Sequence, residues 1–202
     1  MSQGKRELQR RIAYEAARIM TEYRSDNMAH ACQKAAARLG VTWRQQMPTR
    51  DEIEEALREQ QRLLRGDDQQ EALNRLRRSA MEAMKALQQF NPLLVGSVYQ
   101  GTADINSRVQ LHLHANTPED VLFALTDLKI PWQERQRTLS FSNGSRREVP
   151  SFQFTADGVA FELLVLSCEN RHIRPLDPID NQPIRGATLK ELDALAAYTR
   201  SL

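Results

Sequence analysis

The chain has 202 residues, of which 41% are hydrophobic and 27% charged, and a formal net charge of +2. That length bounds it to one large domain or two small ones, and the composition excludes a disordered or fibrous chain. So small a net charge gives no electrostatic case for nucleic acid or membrane, and no run approaches the ~18 apolar residues of a membrane span.

The chain opens on MSQGKRELQRR, which has charge but no apolar stretch behind it, so no secretory leader is expected. The first ninety residues read as helices. In LQRRIAYEAARIMTEY, Leu8, Ile12, Ala16, Ile19 and Tyr23 recur at steps of three and four. Ser25-Asp26 reads as a stop followed by a new cap, and MAHACQKAAARLG ends on the helix terminator Gly40. Thr49 with Glu52 predicts a capping box before a third helix, which Gly66 is expected to close. A fourth helix is expected over DQQEALNRLRRSAMEAMKALQQF, with Leu73, Leu76, Ala80, Met84 and Leu87 as its apolar stripe. The second and third helices have the order of a helix-turn-helix, but VTWRQQMP between them exceeds its usual turn of 3–4 residues.

The period then changes. PLLVGSVY is short and apolar and ends at a turn, and RVQLHLH alternates strictly. PEDVLFALTDLKI reads as a helix. RTLSFS, SFQFTA and VAFELLVLS read as strands, with Asn143-Gly144 and Asp157-Gly158 as turns. The Pro- and Asp-rich stretch RPLDPIDNQPIRG, holding Arg174, Asp177, Asp180 and Arg185, is a stiff loop leading to a last helix, ATLKELDALAAYTR. The fold class expected is α+β: a helical segment over 1–90 and a small mixed sheet with flanking helices over 91–202.

One spacing carries more than fold. Gly96-Ser97 is followed after three residues by Gly101, after five more by Ser107, and then by a strand with Leu111. This resembles the signature of the nucleotidyltransferase superfamily, the polymerase-beta-like fold, over roughly residues 93–166. The resemblance implies transfer of a nucleoside monophosphate from a triphosphate. Two acids, two apart on one strand, share a face and hold magnesium against the triphosphate, and a third acid comes from a neighbouring strand. It also implies that Gly96-Ser97 opens a helix whose N–H groups meet phosphate. Here the two acid positions carry Arg108 and Gln110, and Glu162 stands at the third. Arg carries only donors and cannot bind magnesium, and Gln offers one neutral oxygen.

Other residues on these strands have plainer readings. Arg108, Gln110, His112 and His114 share the polar face of their strand, which is either half-exposed or the floor of a cleft. His112 and His114, with Glu162 or Asp104, are a zinc alternative. Asp104 and Asn106 are turn formers or displaced stand-ins for the missing acids. Glu162, among Phe161, Leu163 and Leu164, either faces solvent or pairs with Arg108. Cys32 and Cys168 lack metal spacing and predict a reducing, cytoplasmic setting.

Residues 1–90 hold 17 Lys+Arg against 13 Asp+Glu, but the acids are interleaved. That half reads as a solvated surface open to a protein partner. The functional expectation is a nucleotidyltransferase-like protein with a degraded metal site, a non-catalytic or regulatory binder of a nucleoside triphosphate or other phosphate anion through Gly96, Ser97, Gly101 and Arg108. No cofactor is expected. An active nucleotidyltransferase with atypical ligands, which would use magnesium, is the alternative. An unrelated α+β interaction or DNA-binding protein is the second, and neither nucleic acid nor membrane is the expected partner.

Overall fold

The computed structural model describes residues 3–23, 25, 27–41, 47–169 and 171–199. The chain divides into two units, Met1–Gln70 with Asp177–Gln182, and Glu71–Leu176 with Pro183–Leu202. The change from helix to strand comes at residue 93; the division by contact comes earlier, inside a helix.

The first unit holds α1 (Gln3–Tyr23), α2 (Met28–Arg38) and the start of α3 (Arg50–Ala86). Ile12, Ala16 and Ile19 are buried as their spacing requires, and Ala13, Ala17, Ala31, Ala35 and Ala36 let the helices pack closely. Tyr23 differs from expectation: it is exposed, with the Lys34 amine 4.3 Å from its ring centroid. Asn27 caps α2, its side-chain oxygen accepting from the His30 amide at 3.0 Å; Asp26 lies outside the described residues. Gly40, at φ +69°, terminates α2, and the Val41 amide returns to the Ala36 carbonyl at 2.9 Å. The Thr49–Glu52 capping box forms, with the Thr49 amide 2.7 Å from the Glu52 carboxylate. Just inside α3, Arg50 binds Glu54 at 2.6 Å and also Asp177. Asp177 in turn accepts the Ile179 amide at 2.8 Å, so part of the Pro/Asp-rich loop is held in this unit.

Gly66 does not close a helix. The third and fourth expected helices are one continuous α3 of 37 residues. A glycine inside a helix costs about 1 kcal/mol and ends it only where the chain turns left-handed. The following Asp-Asp-Gln-Gln-Glu-Ala-Leu supplies no proline or turn to force that.

The second unit is a five-stranded mixed sheet: β1 (Leu93–Val95), β2 (Val109–Ala115), β3 (Gln133–Ser140), β4 (Arg146–Ala156) and β5 (Val159–Ser167). The order is β1-β2-β5-β4-β3. β2 and β5 are parallel, and the other pairs are antiparallel. Short α4 (Gly96–Gln100) follows β1, α5 (Pro118–Asp127) follows β2, and α6 (Leu189–Thr199) comes last. One sheet face carries Val109, Leu111, Leu113, Phe152, Phe161, Leu163 and Val165. They pack with Leu73, Leu76, Ala80 and Met84 of α3 and with Val121 and Leu125 of α5 in a single core. The opposite face holds the polar residues described below and a smaller apolar group, Phe141, Val149, Leu164 and Leu166. β3 starts four residues before the expected Arg137, and β4 five before Ser151. The hairpin through Asn143-Gly144 pairs Gln133–Ser140 with Arg146–Gln153 although QERQ has no apolar alternation. Pairing, not burial, makes that edge a strand. Among the described residues no helix is long and apolar enough to cross a membrane.

Leu111 is fully buried and Phe123 of α5 is 69% exposed. Leu111→Ala should therefore cost about 3 kcal/mol in urea unfolding, and Phe123→Ala less than about 0.5 kcal/mol.

Candidate functional site

The parallel register of β2 and β5 sets Gln110 directly beside Glu162, and the antiparallel register of β4 sets Gln153 on its other side. Ser151, two residues from Gln153, shares that face. Glu162 is 4% exposed. A carboxylate so buried must be protonated or saturated with donors. It is saturated. Its Oε2 accepts from Gln110 Nε2 at 3.1 Å. Its Oε1 accepts from Ser151 Oγ at 3.2 Å, from Gln153 Nε2 at 3.1 Å and from Arg137 Nε at 2.8 Å. A second Arg137 nitrogen, Nη2, stands 2.7 Å from the same oxygen. Burial raises the Glu162 pKa, but the Gln110 and Arg137 hydrogen bonds and the Arg137 charge outweigh it and hold the carboxyl below its ordinary value.

The cation on Glu162 is thus Arg137 of β3, and the expected Arg108–Glu162 pair is not the one formed. Gln110 takes the position beside Glu162. Arg108 lies just before β2, half-buried, while Arg137 reaches across β4.

Gly96 follows β1 at φ +72° and opens α4. A Cβ there would sit 2.1 Å from Gln110 Oε1. The Gln110 amide therefore spans two constraints: its nitrogen on Glu162 and its oxygen against the Gly96 backbone. Ser97 is half-buried in the first turn of α4, and its carbonyl accepts the Thr102 and Ala103 amides at 3.0 and 3.2 Å. Gly101 ends α4 at φ +82°. Ser107 is buried; its Oγ accepts the Asp104 amide at 2.9 Å, and Asp104 also accepts the Asn106 amide at 2.9 Å, so Asp104 and Asn106 build a turn.

His112 is on the same face but buried, contrary to a strand face open to solvent. Burial, and then His114, hold its pKa down at about 4. His114 is half-buried and is also lowered, by burial and then Arg171. Among the described residues no group of three or more His, Cys, Asp or Glu is arranged to hold a metal, which leaves the zinc alternative without a ligand set. The donor set does not fit magnesium either. Glu162 is bonded to a guanidinium, and the Gln110 oxygen faces Gly96.

The sequence reading missed Arg137, Ser151 and Gln153. The alternation of Ser151 and Gln153 with Phe152 and Phe154 is a signal that places both on the Glu162 face. Comparison with models of known families, with curated proteins and with solved structures finds no match.

Two outcomes follow from this geometry. A carboxyl with a lowered folded-state pKa gives stability that is complete above its unfolded value, about 4.3, and is lost as pH falls through the folded value. The wild type should exceed Glu162→Gln by about 1 kcal/mol at pH 7, a modest figure because Arg137 is half-exposed, and the difference should shrink below about pH 4.3 in urea titrations. Gly96→Ala should cost about 2 kcal/mol from backbone strain and the Gln110 clash. In the Gln110→Ala background the same change should cost clearly less, as a double-mutant cycle would measure.

Proposed function

We propose that this chain is a nucleotidyltransferase-like protein without a working metal site, acting as a non-catalytic or regulatory binder of a nucleoside triphosphate or other phosphate anion. The observation that carries the reading is the saturation of Glu162 by Gln110, Ser151, Gln153 and Arg137. In a metal-dependent transferase the third acid must be available to a cation. Here a guanidinium supplies the positive charge, and no metal is needed to keep the carboxylate ionised.

The element order supports the family resemblance. Gly96-Ser97 follows a strand and opens a helix, the positions of the two missing acids fall at and just before β2, and the third-acid position is on the adjacent β5. Phosphate binding would use Ser97, the turn between Gly96 and Gly101, and the charge of Arg108. Arg137, 49% exposed, would add a second cation. Without a metal bridge, magnesium would not strengthen triphosphate binding.

Labelled ATP, GTP, CTP and UTP, incubated with magnesium and protein or RNA acceptors, should give no transfer product. Calorimetry should find triphosphate binding no tighter with magnesium than with EDTA, and Arg108→Gln should weaken binding in EDTA about tenfold, or about 1.4 kcal/mol. Turnover that disappears in Glu162→Ala would establish the active alternative instead. The absence of any triphosphate or phosphate binding would remove the binding role.

A further inference from the structure

The β4–β5 ladder stops at Ser151↔Leu164, although both strands continue. Past that point β4 is paired with β3 through Arg146, and β5 with β2 through Ser167. The sheet forks. Pro150 stands at the break, where a residue without an N–H cannot carry the ladder onward. Between the two arms lies an open cavity of about 220 Å³.

Its lining has two kinds of residue. Val149, Leu166, Phe141 and Ile173 give an apolar wall and belong to one buried cluster. Arg147 stands on the same face as Val149, with its guanidinium carbon 5.5 Å from the Phe141 ring centroid. His114 also lines the cavity, at the carboxyl end of the parallel strand β2, and Arg171 is close enough to act on its charge. Glu148 is the one carboxylate among the lining residues, and strand alternation turns it to the opposite face from Arg147. Arg147 is therefore the charged group on the apolar side of the cavity. The carboxyl ends of parallel strands are a common place for ligands in α/β sheets.

We propose that this fork is a binding site for a small carboxylic acid with a compact apolar body, the body seated on Val149, Leu166, Phe141 and Ile173 and the carboxylate on Arg147. The site is separate from Gly96 and Glu162, which lie toward the other end of β2 and β5, and does not depend on the function proposed above. Its size suits an aromatic or short aliphatic acid. Arg147 is exposed at the rim, so the carboxylate stays partly hydrated and the apolar wall supplies most of the selectivity for shape.

The probes are benzoate and hexanoate, with benzamide and benzylamine as neutral and cationic counterparts, titrated into the full chain. Methyl NMR of Val149, Leu166 and Ile173 is the readout. At least one acid should give saturable shifts at these methyls with a Kd below about 1 mM. Benzamide and benzylamine should bind at least tenfold more weakly than benzoate. Arg147→Gln should weaken acid binding about tenfold while leaving the spectrum of the free protein otherwise intact. Val149→Phe, which fills the cavity, should abolish it. The proposal is overturned if neither acid gives saturable shifts, if the shifts lie elsewhere, if the neutral or cationic probe binds as well as benzoate, or if Arg147→Gln has no effect.

Discussion

An ionised carboxylate taken out of water has to recover its solvation from the protein, and Glu162 recovers it from four side chains on three other strands of the sheet. Each donor needs its strand in one register. A one-residue slip of β4 would send Ser151 and Gln153 to the other face and bring Phe152 and Phe154 onto the carboxylate. A slip of β2 would remove Gln110. The buried Glu thus constrains the middle of the sheet from its polar side while Leu111, Leu163 and Phe152 constrain it from the apolar side. Arg137 extends the constraint to the edge strand β3, which has no apolar alternation of its own to fix its position.

The same network governs the glycine turn. Gln110 can bond Glu162 in this way because its oxygen lies against a residue with no Cβ. Gly96 is therefore required twice, by its positive φ and by the close approach of the amide. In the family the sequence resembles, this region serves magnesium and triphosphate. Here the residues near it bond one another: the neutral Gln110 amide stands beside Glu162, and the Arg137 guanidinium neutralises that carboxylate. Glu162 is occupied by side chains already present in the chain, and a cation approaching it would have to displace Arg137.

The strong periodicities were legible in the sequence. RVQLHLH, VAFELLVLS and the stripe from Leu73 to Leu87 specify buried faces by composition and spacing alone, and the Thr49–Glu52 box specifies a helix start. Gly66 misled because a glycine is ambiguous until its φ is known: Gly40 is left-handed and terminates a helix, whereas Gly66 is carried inside one. The two ends of β3 and β4 were hidden because paired polar strands have no burial pattern to read. Glu162 could be singled out from its apolar neighbours, but its partner could not. Arg108 and Arg137 are both plausible by charge, and the choice depends on the β4–β5 register and on the reach of a side chain across β4. The fork at Pro150 was hidden for the same reason, since it exists only as the end of a ladder.

The central claim is that Glu162 is ionised and held by donors within the chain rather than by a metal. The direct test is carbon-13 NMR of the Glu162 side-chain carboxyl, titrated with pH and then with manganese as a paramagnetic stand-in for magnesium. The carboxyl pKa should lie below the ordinary glutamate value of about 4.3, and manganese should not selectively broaden this resonance. A raised pKa, or a Glu162 signal broadened by manganese ahead of those of exposed glutamates, would contradict it.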